Sequence, residues 1–415
     1  MTLADFLGRI AADDALAADF AAICDTGGRL QGTPSAERGF ALMEERLSAF
    51  GTVWKEPVPY AGWRCHEARL TDVATGRELD CTPLLGAAGT PVDGLLLDTL
   101  DCGRGAPGDF SGAAGRAVLA RHEYPFSAQT IHRRVKLAAA QEAGAAAFLI
   151  VQPEAGVGPV SGSSGRAGGQ GIPALGISAE AGALLAEGRR VRLTLLGSDH
   201  AATTPTLVLT MPGRGNDYVV VSAHLDGHPL GESAIDNATG LAAALCLARA
   251  VRPVAAQCER GLMVCIFGAE EWALAGSKAW LDGKTMAEKR RMALNINLDS
   301  IAGSPNLTVL TSGFARLGPF LTDAAKKAGR SLRTHRPLMR NSDHANFADH
   351  QIRAARLIAG FNEPDSALRL LLTGADRRDL VPMRQLQDAT MTAGALVWEA
   401  MTASEDAIAR LYSAM

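Results

Sequence analysis

The sequence predicts an α/β protein built on a mixed, largely parallel sheet flanked by helices, with a small β-rich domain inserted into it. From about residue 203 onward, strand-like apolar segments alternate with helical ones, which is typical of layered α/β folds. Between residues 76 and 202 the chain changes to short β-type segments and long loops rich in glycine, serine and proline. We therefore predict a main domain from residues 1–75 and 203–415 and an inserted domain from residues 76–202.

Local patterns predict the individual elements. Residues 1–75 carry helical patterns, among them "SAERGFALMEERLSAFG", which we expect to form an amphipathic helix that Ser35 caps and Gly51 ends. The insert holds β-type segments such as "GRAVLARH" and one helix, "TIHRRVKLAAAQEAG". In the main domain the expected strands and helices follow in this order: "DYVVVSAH", "ATGLAAALCLARAV", "GLMVCIFGAEE", "RMALNINLDSIAG", "LTVLTSG", "LGPFLTDAAKKAG" and "RAARLIAG".

Composition limits the class of protein and its partners. The chain has 415 residues, of which 47% are hydrophobic and 20% charged, with a formal net charge of −3. This balance gives no basic surface for nucleic acid, and no purely apolar run is long enough to span a membrane. The N-terminal segment lacks the pattern of a secretion signal, and the seven cysteines are scattered without a C-x-x-C pair. If the chain is complete, we expect a cytoplasmic homo-oligomer with reduced thiols that acts on a small molecule.

Acidic and histidine side chains recur where the strands of the main domain end. Because parallel strands place their carboxyl ends at one edge of a sheet, these side chains are expected to converge from distant parts of the sequence. They are His224 and Asp226 after the first strand, Asp236 before the following helix, Glu270 and Glu271 after the next apolar segment, and Asp299 at the end of "LNINLD".

This cluster predicts a metal site. Crowded carboxylates raise one another's pKa values unless a cation is present, and one imidazole with several carboxylates suits Zn, Mn, Co or Fe. Glu270 and Glu271 point to opposite sides of an extended chain, so one can bind the metal while the other faces the substrate as a general base. Asp226, two residues from His224 and on the same side of the strand, is placed to hold the imidazole in its ligating orientation.

Five motifs in order resemble the M28 family of metallo-aminopeptidases and metallo-carboxypeptidases: "HLD", "AIDNATG", "FGAEEWALAGS", "NLDSIAG" and "SDHANF". The resemblance covers most of residues 203–383, and "GGRLQGTPSAERGF" resembles the amino-terminal segment of the family. Within the insert, "FSGAAGRAVLARH", "AAAQEAGAAAFLIV" and "GIPALGIS" resemble a protease-associated domain. The resemblance implies an M28-type fold that carries a protease-associated insert.

The resemblance also implies a role for each acid of the cluster. The implied metal ligands are His224, Asp236, Glu271 and Asp299. Asp236 is the bridging carboxylate in members that bind two metals, and its peptide bond to Asn237 would be cis. Glu270 would be the general acid/base, and Asp226 would orient the ligating histidine.

One motif departs from the family pattern. Members normally carry H-T-x-x-D, which supplies the last histidine ligand, whereas "LLTGAD" places Leu372 there and keeps Thr373 and Asp376. Leucine cannot bind a metal, so we expect one divalent ion, Mn or Zn, per active site. Three histidines are candidates for the missing place: His228, His344 and His350. We favour ordinary polar or structural roles for all three, with His344 as the first choice if one of them substitutes.

These observations predict a metal-dependent hydrolase that uses metal-activated water and Glu270 to cleave a C–N bond in a small carboxylated substrate. Arg340 is our first choice for a bidentate contact to that carboxylate, with His344 and His228 as further substrate-binding candidates. The interpretation we favour is an aryl-amine aminohydrolase of the 5-nitroanthranilate type, because of the missing ligand and the expected compartment. The alternatives are a cytoplasmic aminopeptidase or carboxypeptidase and a non-catalytic binding scaffold. Adjacent acids at a strand end, Glu270 and Glu271, argue against the scaffold.

Overall fold

The structure is a computed structural model that describes residues 1–166 and 171–412. Within these ranges its strands are β1 Val53–Asp72, β2 Glu78–Leu79, β3 Cys81–Pro83, β4 Leu95–Asp101, β5 Ala117–Arg121, β6 Ala147–Val151, β7 Ala174–Ile177, β8 Arg190–Met211, β9 Tyr218–His224, β10 Gly261–Phe267, β11 Met292–Leu298, β12 Leu307–Leu310, β13 Arg333–His335 and β14 Ala354–Ala359.

The α-helices are α1 Leu3–Ala11, α2 Ala15–Asp25, α3 Pro34–Ser48, α4 Arg133–Glu142, α5 Ala179–Leu185, α6 Thr239–Val251, α7 Ala275–Asp282, α8 Met286–Arg290, α9 Leu317–Lys327, α10 His344–Asp349, α11 Met383–Thr402 and α12 Glu405–Ala409. A kinked segment, Ala234–Ala238, precedes α6, and its backbone is non-helical at Asp236 and Asn237. Single 3₁₀ turns occupy Ala255–Gln257, Ala367–Leu370, Arg378–Leu380 and Arg410–Tyr412.

These strands form one mixed sheet. Its order is β13-β12-β14-β11-β9-β10-β8-β4-β5-β6-β7-β3, with β1 paired to β8 and β2 paired to β1. In the main domain β9 runs parallel to both β10 and β11, and β11 runs parallel to β14, whereas β8 and β12 are antiparallel to their neighbours β10 and β14. The predicted fold class, a mixed and largely parallel sheet flanked by helices with a β-rich insert, is therefore confirmed.

Both faces of the main-domain sheet are buried. Along β9, Val219 and Val221 belong to the large core, whereas Val220 belongs to a second cluster with Phe267 and Phe347. Successive strand residues point to opposite faces, so the two clusters lie on opposite sides of the sheet. Helices α6 and α11 pack on the first face, and α7 and α10 pack together on the second. The apolar segment Ala234–Val251 is long enough to cross a membrane, but 89% of it is buried inside the protein, as expected of a core helix.

A long two-stranded ribbon connects the two parts of the molecule. Strand β1 pairs with β8 from Val53 opposite Leu209 to Asp72 opposite Val191. One end of β8 also pairs with β10 of the main domain, and the other end pairs with β4 of the insert. The predicted boundary between residues 202 and 203 lies inside this ribbon, because β8 continues across it without interruption.

Helix α3 begins two residues earlier than a cap at Ser35 predicts. It starts at Pro34, whose fixed φ suits the first helical position and whose missing N–H needs no partner there. The hydroxyl of Ser35, the predicted cap, instead accepts from the Arg29 backbone N–H at 2.9 Å and donates to the Thr26 carbonyl at 2.6 Å. The helix ends at Ser48, shortly before Gly51.

Candidate metal centre

Three adjacent parallel strands bring the predicted site together. Strand β9 lies between β10 and β11 in the sheet. His224 is the last residue of β9, Asp299 directly follows β11, and Glu270 and Glu271 follow β10 after two residues. Because the strands are parallel, these side chains meet at one edge, as the sequence predicts.

The centre of the site is a triad of His224, Asp236 and Asp299. One potential ligand atom from each residue lies within 4.8 Å of the others. His224 Nε2 is 3.1 Å from Asp236 Oδ1 and 3.6 Å from Asp299 Oδ1. His224 Nε2 and Asp236 Oδ1 are both buried without an aligned hydrogen-bond partner. A borderline-hard divalent cation fits this donor set and would satisfy both atoms.

Local hydrogen bonds fix the position of Asp236. The Asp236–Asn237 peptide bond is cis, as the family resemblance implies. The Asn237 side chain donates to the Leu298 carbonyl at 2.9 Å, next to Asp299, and accepts from the Gly240 N–H at 3.0 Å. The Asp376 carboxylate accepts from the Ile235 N–H at 2.8 Å. The turn before α6 is thereby anchored to the end of β11.

Asp226 acts differently from the sequence prediction. His224 Nδ1 lies 2.9 Å from the Asp226 backbone carbonyl but 3.9 Å from its carboxylate. The carboxylate instead accepts from the backbone N–H groups of Glu270 at 3.0 Å and Glu271 at 3.1 Å. The Asp226 carboxylate therefore positions the two glutamates, and its carbonyl positions the ligating histidine.

Arg356 is a site residue that the sequence did not distinguish from other arginines. It is buried, and its Nη2 lies 3.0 Å from Asp299 Oδ2. Burial alone would raise the pKa of Asp299, but the Arg356 guanidinium and His224 hold that pKa below its ordinary value. Asp299 is thus ionised and ready to bind a cation. The only signal in the sequence was the position of this arginine inside the predicted strand "RAARLIAG", which forms β14 beside β11.

Glu270 has the properties of a general base. It is buried, and it lines the same cavity as Asp236 and Asp299. Burial raises the pKa of Glu270 well above its ordinary value, opposed by His224 and reinforced by the Glu271 carboxylate. A carboxylate with a raised pKa takes up a proton more readily near neutral pH.

Glu271 has a protein partner of its own. Its Oε1 lies 2.7 Å from His228 Nε2, and within the described chain it is not part of the metal triad. Although burial acts to raise it, the pKa of Glu271 is lowered by His228. Leu372 lines the cavity together with Glu271 and Asp236, so an apolar side chain borders the position of the missing ligand.

The predicted substrate contacts and the candidates for the missing ligand are not brought to the centre. His228 and His344 are buried and do not line the cavity, and burial lowers the pKa of His344 to about 3. His350 contacts Asp282 at 3.1 Å. Arg340 does border the cavity, but its guanidinium binds the Asp349 carboxylate through hydrogen bonds of 2.5 and 2.8 Å. Its bidentate partner is therefore a carboxylate of the protein itself.

The acids of the site line a cavity that the insert closes. Its volume is about 110 Å³, which suits a small molecule. The main domain contributes Glu270, Glu271 and Asp299, and the insert contributes the segment from His122 to Lys136. The sequence left the role of the insert open, and the structure makes it one wall of this cavity.

Specific contacts hold the insert against the main domain. The Tyr124 hydroxyl donates to the Gly360 carbonyl at 2.6 Å, and the Asn362 backbone N–H donates to the Phe126 carbonyl at 2.8 Å. The Phe126 ring lies 4.8 Å from the guanidinium carbon of Arg356. These contacts connect the insert wall directly to an arginine that binds Asp299.

Comparisons with known proteins agree with this geometry. The model of peptidase family M28 matches residues 206–393. Residues 206–393 form a peptidase family M28 domain. A PA domain model matches residues 87–185, within the predicted insert. The resemblance predicted from the motifs is therefore confirmed for both parts of the chain.

Relatives of the M28 domain include named aminopeptidases. Aminopeptidase YwaD of Bacillus subtilis is 26% identical over 338 residues, covering 79% of this chain and 72% of that protein. The probable leucine aminopeptidase 2 of Aspergillus fumigatus is 24% identical over 302 residues, covering 68% of this chain and 56% of that protein.

Solved structures share the fold over nearly the whole chain. The zinc aminopeptidase BSAP from Bacillus subtilis has a TM-score of 0.76 at 25% identity, covering 93% of this chain and 95% of that one. A peptidase M28 precursor from Shewanella amazonensis has a TM-score of 0.81 at 19% identity, covering 97% and 96%. The predicted divalent metal is supported by the family and by the zinc enzyme among its neighbours.

Proposed function

We propose that this protein is a metal-dependent exopeptidase that hydrolyses the C–N bond of small peptides. The observation that carries the proposal is the buried triad of His224, Asp236 and Asp299, with Glu270 on the wall of the same cavity. M28 relatives named as aminopeptidases support it and favour this alternative over the aryl-amine aminohydrolase.

The roles of the residues follow from their positions. His224, Asp236 and Asp299 would hold a divalent ion, which when bound polarises the scissile carbonyl and makes a water more acidic. Glu270 accepts the proton of the attacking water and returns it to the leaving nitrogen, so that a C–O bond forms as the C–N bond breaks. Asp226 holds the backbone of Glu270 in place through the Glu270 N–H. The insert wall excludes bulk water from the reacting bond.

One observation favours a second candidate. Leu372 borders the position of a metal ligand, and Glu271 is held by His228. A site that binds one ion can also replace an amine on a small ring with hydroxyl, since Glu270 would protonate a leaving nitrogen in either reaction. The aryl-amine aminohydrolase of nitroanthranilate type therefore stays a prediction.

The test loads the purified protein with Zn or Mn and measures bound metal together with two activities. We expect one ion per chain and release of amine from an aminoacyl anilide or a dipeptide. Release of ammonia from aminobenzoates, without peptide cleavage, would instead support the aminohydrolase. Absence of both activities from a metal-loaded protein would overturn the proposal.

We also propose a cytoplasmic location. All seven cysteines are free, as expected in a reducing compartment. Fractionation of cells that express the tagged chain tests the location. The homo-oligomer stays a prediction, and light scattering coupled to gel filtration tests it.

A further inference from the structure

The insert brings a buried arginine to the catalytic cavity. Arg133 begins α4, is only 7% exposed, and lines the cavity together with Glu270 and Glu271. Its Nε donates to the Ser163 carbonyl at 2.8 Å. Within residues 1–166 and 171–412, its two Nη groups have neither a hydrogen-bond acceptor nor a carboxylate within 4.0 Å. Burial lowers the pKa of Arg133 to about 10, so it carries its charge at neutral pH.

Other basic side chains of the cavity already have partners. Lys136 Nζ donates to the carbonyls of Arg104 and Arg121 and to Glu123. Arg356 binds Asp299, and Arg340 binds Asp349. Arg134, which is only partly buried, donates to the Arg340 carbonyl at 3.2 Å. Among the cavity residues that the structure describes, Arg133 is the buried cation whose terminal donors are left for a ligand.

The chain makes room for this guanidinium with a glycine. A side-chain carbon at Gly162 would lie 2.0 Å from Arg133 Nη2, and the φ of Gly162, +125°, also disfavours other residues. The planar guanidinium presents two parallel donors that match the two oxygens of a carboxylate. Glu270 and Glu271, on the same cavity, would repel a doubly charged phosphate. A singly charged carboxylate is the ligand that fits.

We propose that Arg133 binds a carboxylate of the substrate, so that the cavity takes small amides or amines that carry a carboxylate close to the scissile C–N bond. This inference rests on the proposed C–N hydrolase function for its biological meaning. Two sources share the chemistry: the C-terminal carboxylate of a dipeptide and the carboxylate of an aminobenzoate. In both cases the specificity would come from the insert and the reaction from the M28 domain.

Calorimetric binding to the full-length Glu270→Gln protein, freed of metal, tests the proposal without turnover. The probes are leucylglycine against leucylglycinamide, and 2-aminobenzoate against 2-aminobenzamide. We expect one acid to bind about 10- to 100-fold more tightly than its amide, the range for a hydrogen bond to a charged group. The pair that shows the preference identifies the source of the carboxylate. Equal binding of acid and amide in both pairs would overturn the proposal.

Substitutions assign the preference to one residue. Adding Arg133→Gln should remove it, whereas Arg116→Gln, the same change at an exposed arginine of the insert outside the cavity, should keep it. Arg133→Lys keeps a positive charge without the planar fork and should retain a smaller preference. If circular dichroism shows that Arg133→Gln is unfolded, an unchanged preference in Arg133→Lys would refute the assignment. An acid preference in a protein without hydrolase activity would remove the proposed function but keep the carboxylate site.

Discussion

His228 Nε2 lies 2.7 Å from Glu271 Oε1, so the chain itself supplies a partner for the carboxylate that would serve a second metal. Leu372 lines the same cavity as Glu271, in the position where the family resemblance implies a histidine. The histidine ligand is replaced by Leu372, and the Glu271 carboxylate contacts His228, so both changes act against binding of a second metal. Together they favour a centre that uses the triad of His224, Asp236 and Asp299.

Returning a histidine to position 372 should create a second metal site. In Leu372→His an imidazole would face the cavity beside Asp236 and Glu271, where it can complete a ligand set. Elemental analysis after zinc loading should change from one ion per chain to two. Leu372→Gln, which adds a polar side chain of poor metal affinity, is the control. A histidine variant that still binds one ion would show that Glu271 stays with His228.

Replacing Glu270 by glutamine should stop turnover and leave metal binding intact. The amide cannot accept a proton, and loss of a general base costs about 10²- to 10⁴-fold in rate. Steady-state kinetics and metal content of the same preparation measure the two effects. Glu56→Gln, at a carboxylate that binds Trp280 and Lys284 away from the cavity, provides the matched control. Unchanged activity in Glu270→Gln would show that another group is the base.

Stability should fall in acid partly because of His122. Burial lowers the pKa of this histidine to about 3, with contributions from Arg133 and Lys136. An unfolded histidine titrates near pH 6.5, so the stabilising contribution is complete above that pH and is lost as pH falls toward 3. From pH 6.5 to 5 this group accounts for about 2 kcal/mol of unfolding free energy.

Urea unfolding of wild type and His122→Gln at both pH values measures this effect. Glutamine does not titrate, so the variant should lose about 2 kcal/mol less than wild type over the same interval. Equal losses in the two proteins would mean that His122 takes up its proton at the same pH in the folded and unfolded states.

Loosening the insert should weaken substrate binding more than the chemical step. Tyr124→Phe removes the hydroxyl that donates to the Gly360 carbonyl and lies 2.9 Å from Ser366 Oγ. One lost hydrogen bond costs about 1 kcal/mol. We expect higher KM with kcat nearly unchanged, and faster hydrogen exchange near residues 360–366. Ser366→Ala, which keeps the Gly360 contact, should have a smaller effect, and a fall in kcat alone would argue against this role for the insert.

The metal triad can be predicted from the sequence because it depends only on where strands end and on which strands are parallel. Each ligand follows a strand or precedes a helix, and parallel pairing of β9, β10 and β11 brings the strand ends together. Strand topology does not predict the cis peptide bond between Asp236 and Asn237. Only the family resemblance implies it. Strand topology also fails for Asp226, since the choice between carbonyl and carboxylate depends on backbone rotation after β9.

Contacts that depend on tertiary packing could not be predicted from the sequence. Arg340 was predicted to bind the substrate because it precedes the motif "SDHANF". Instead its guanidinium forms an ion pair with Asp349, at the end of α10. Arg133 lies in an insert helix whose approach to the cavity depends on the pairing of β1 with β8 and on the docking of Tyr124. No pattern in the neighbourhood of Arg133 indicates which distant surface it meets.

The ribbon of β1 and β8 lies between two parts of the chain that we expect to evolve separately: one for the reaction and one for substrate choice. The residues that we propose to carry out the reaction lie at the strand ends of the M28 domain, whereas Arg133 and the wall around it belong to the insert. Mutations in the insert can therefore change which molecules are accepted without disturbing the acids that react with them. An enzyme divided in this way can acquire new substrates while its reaction stays the same.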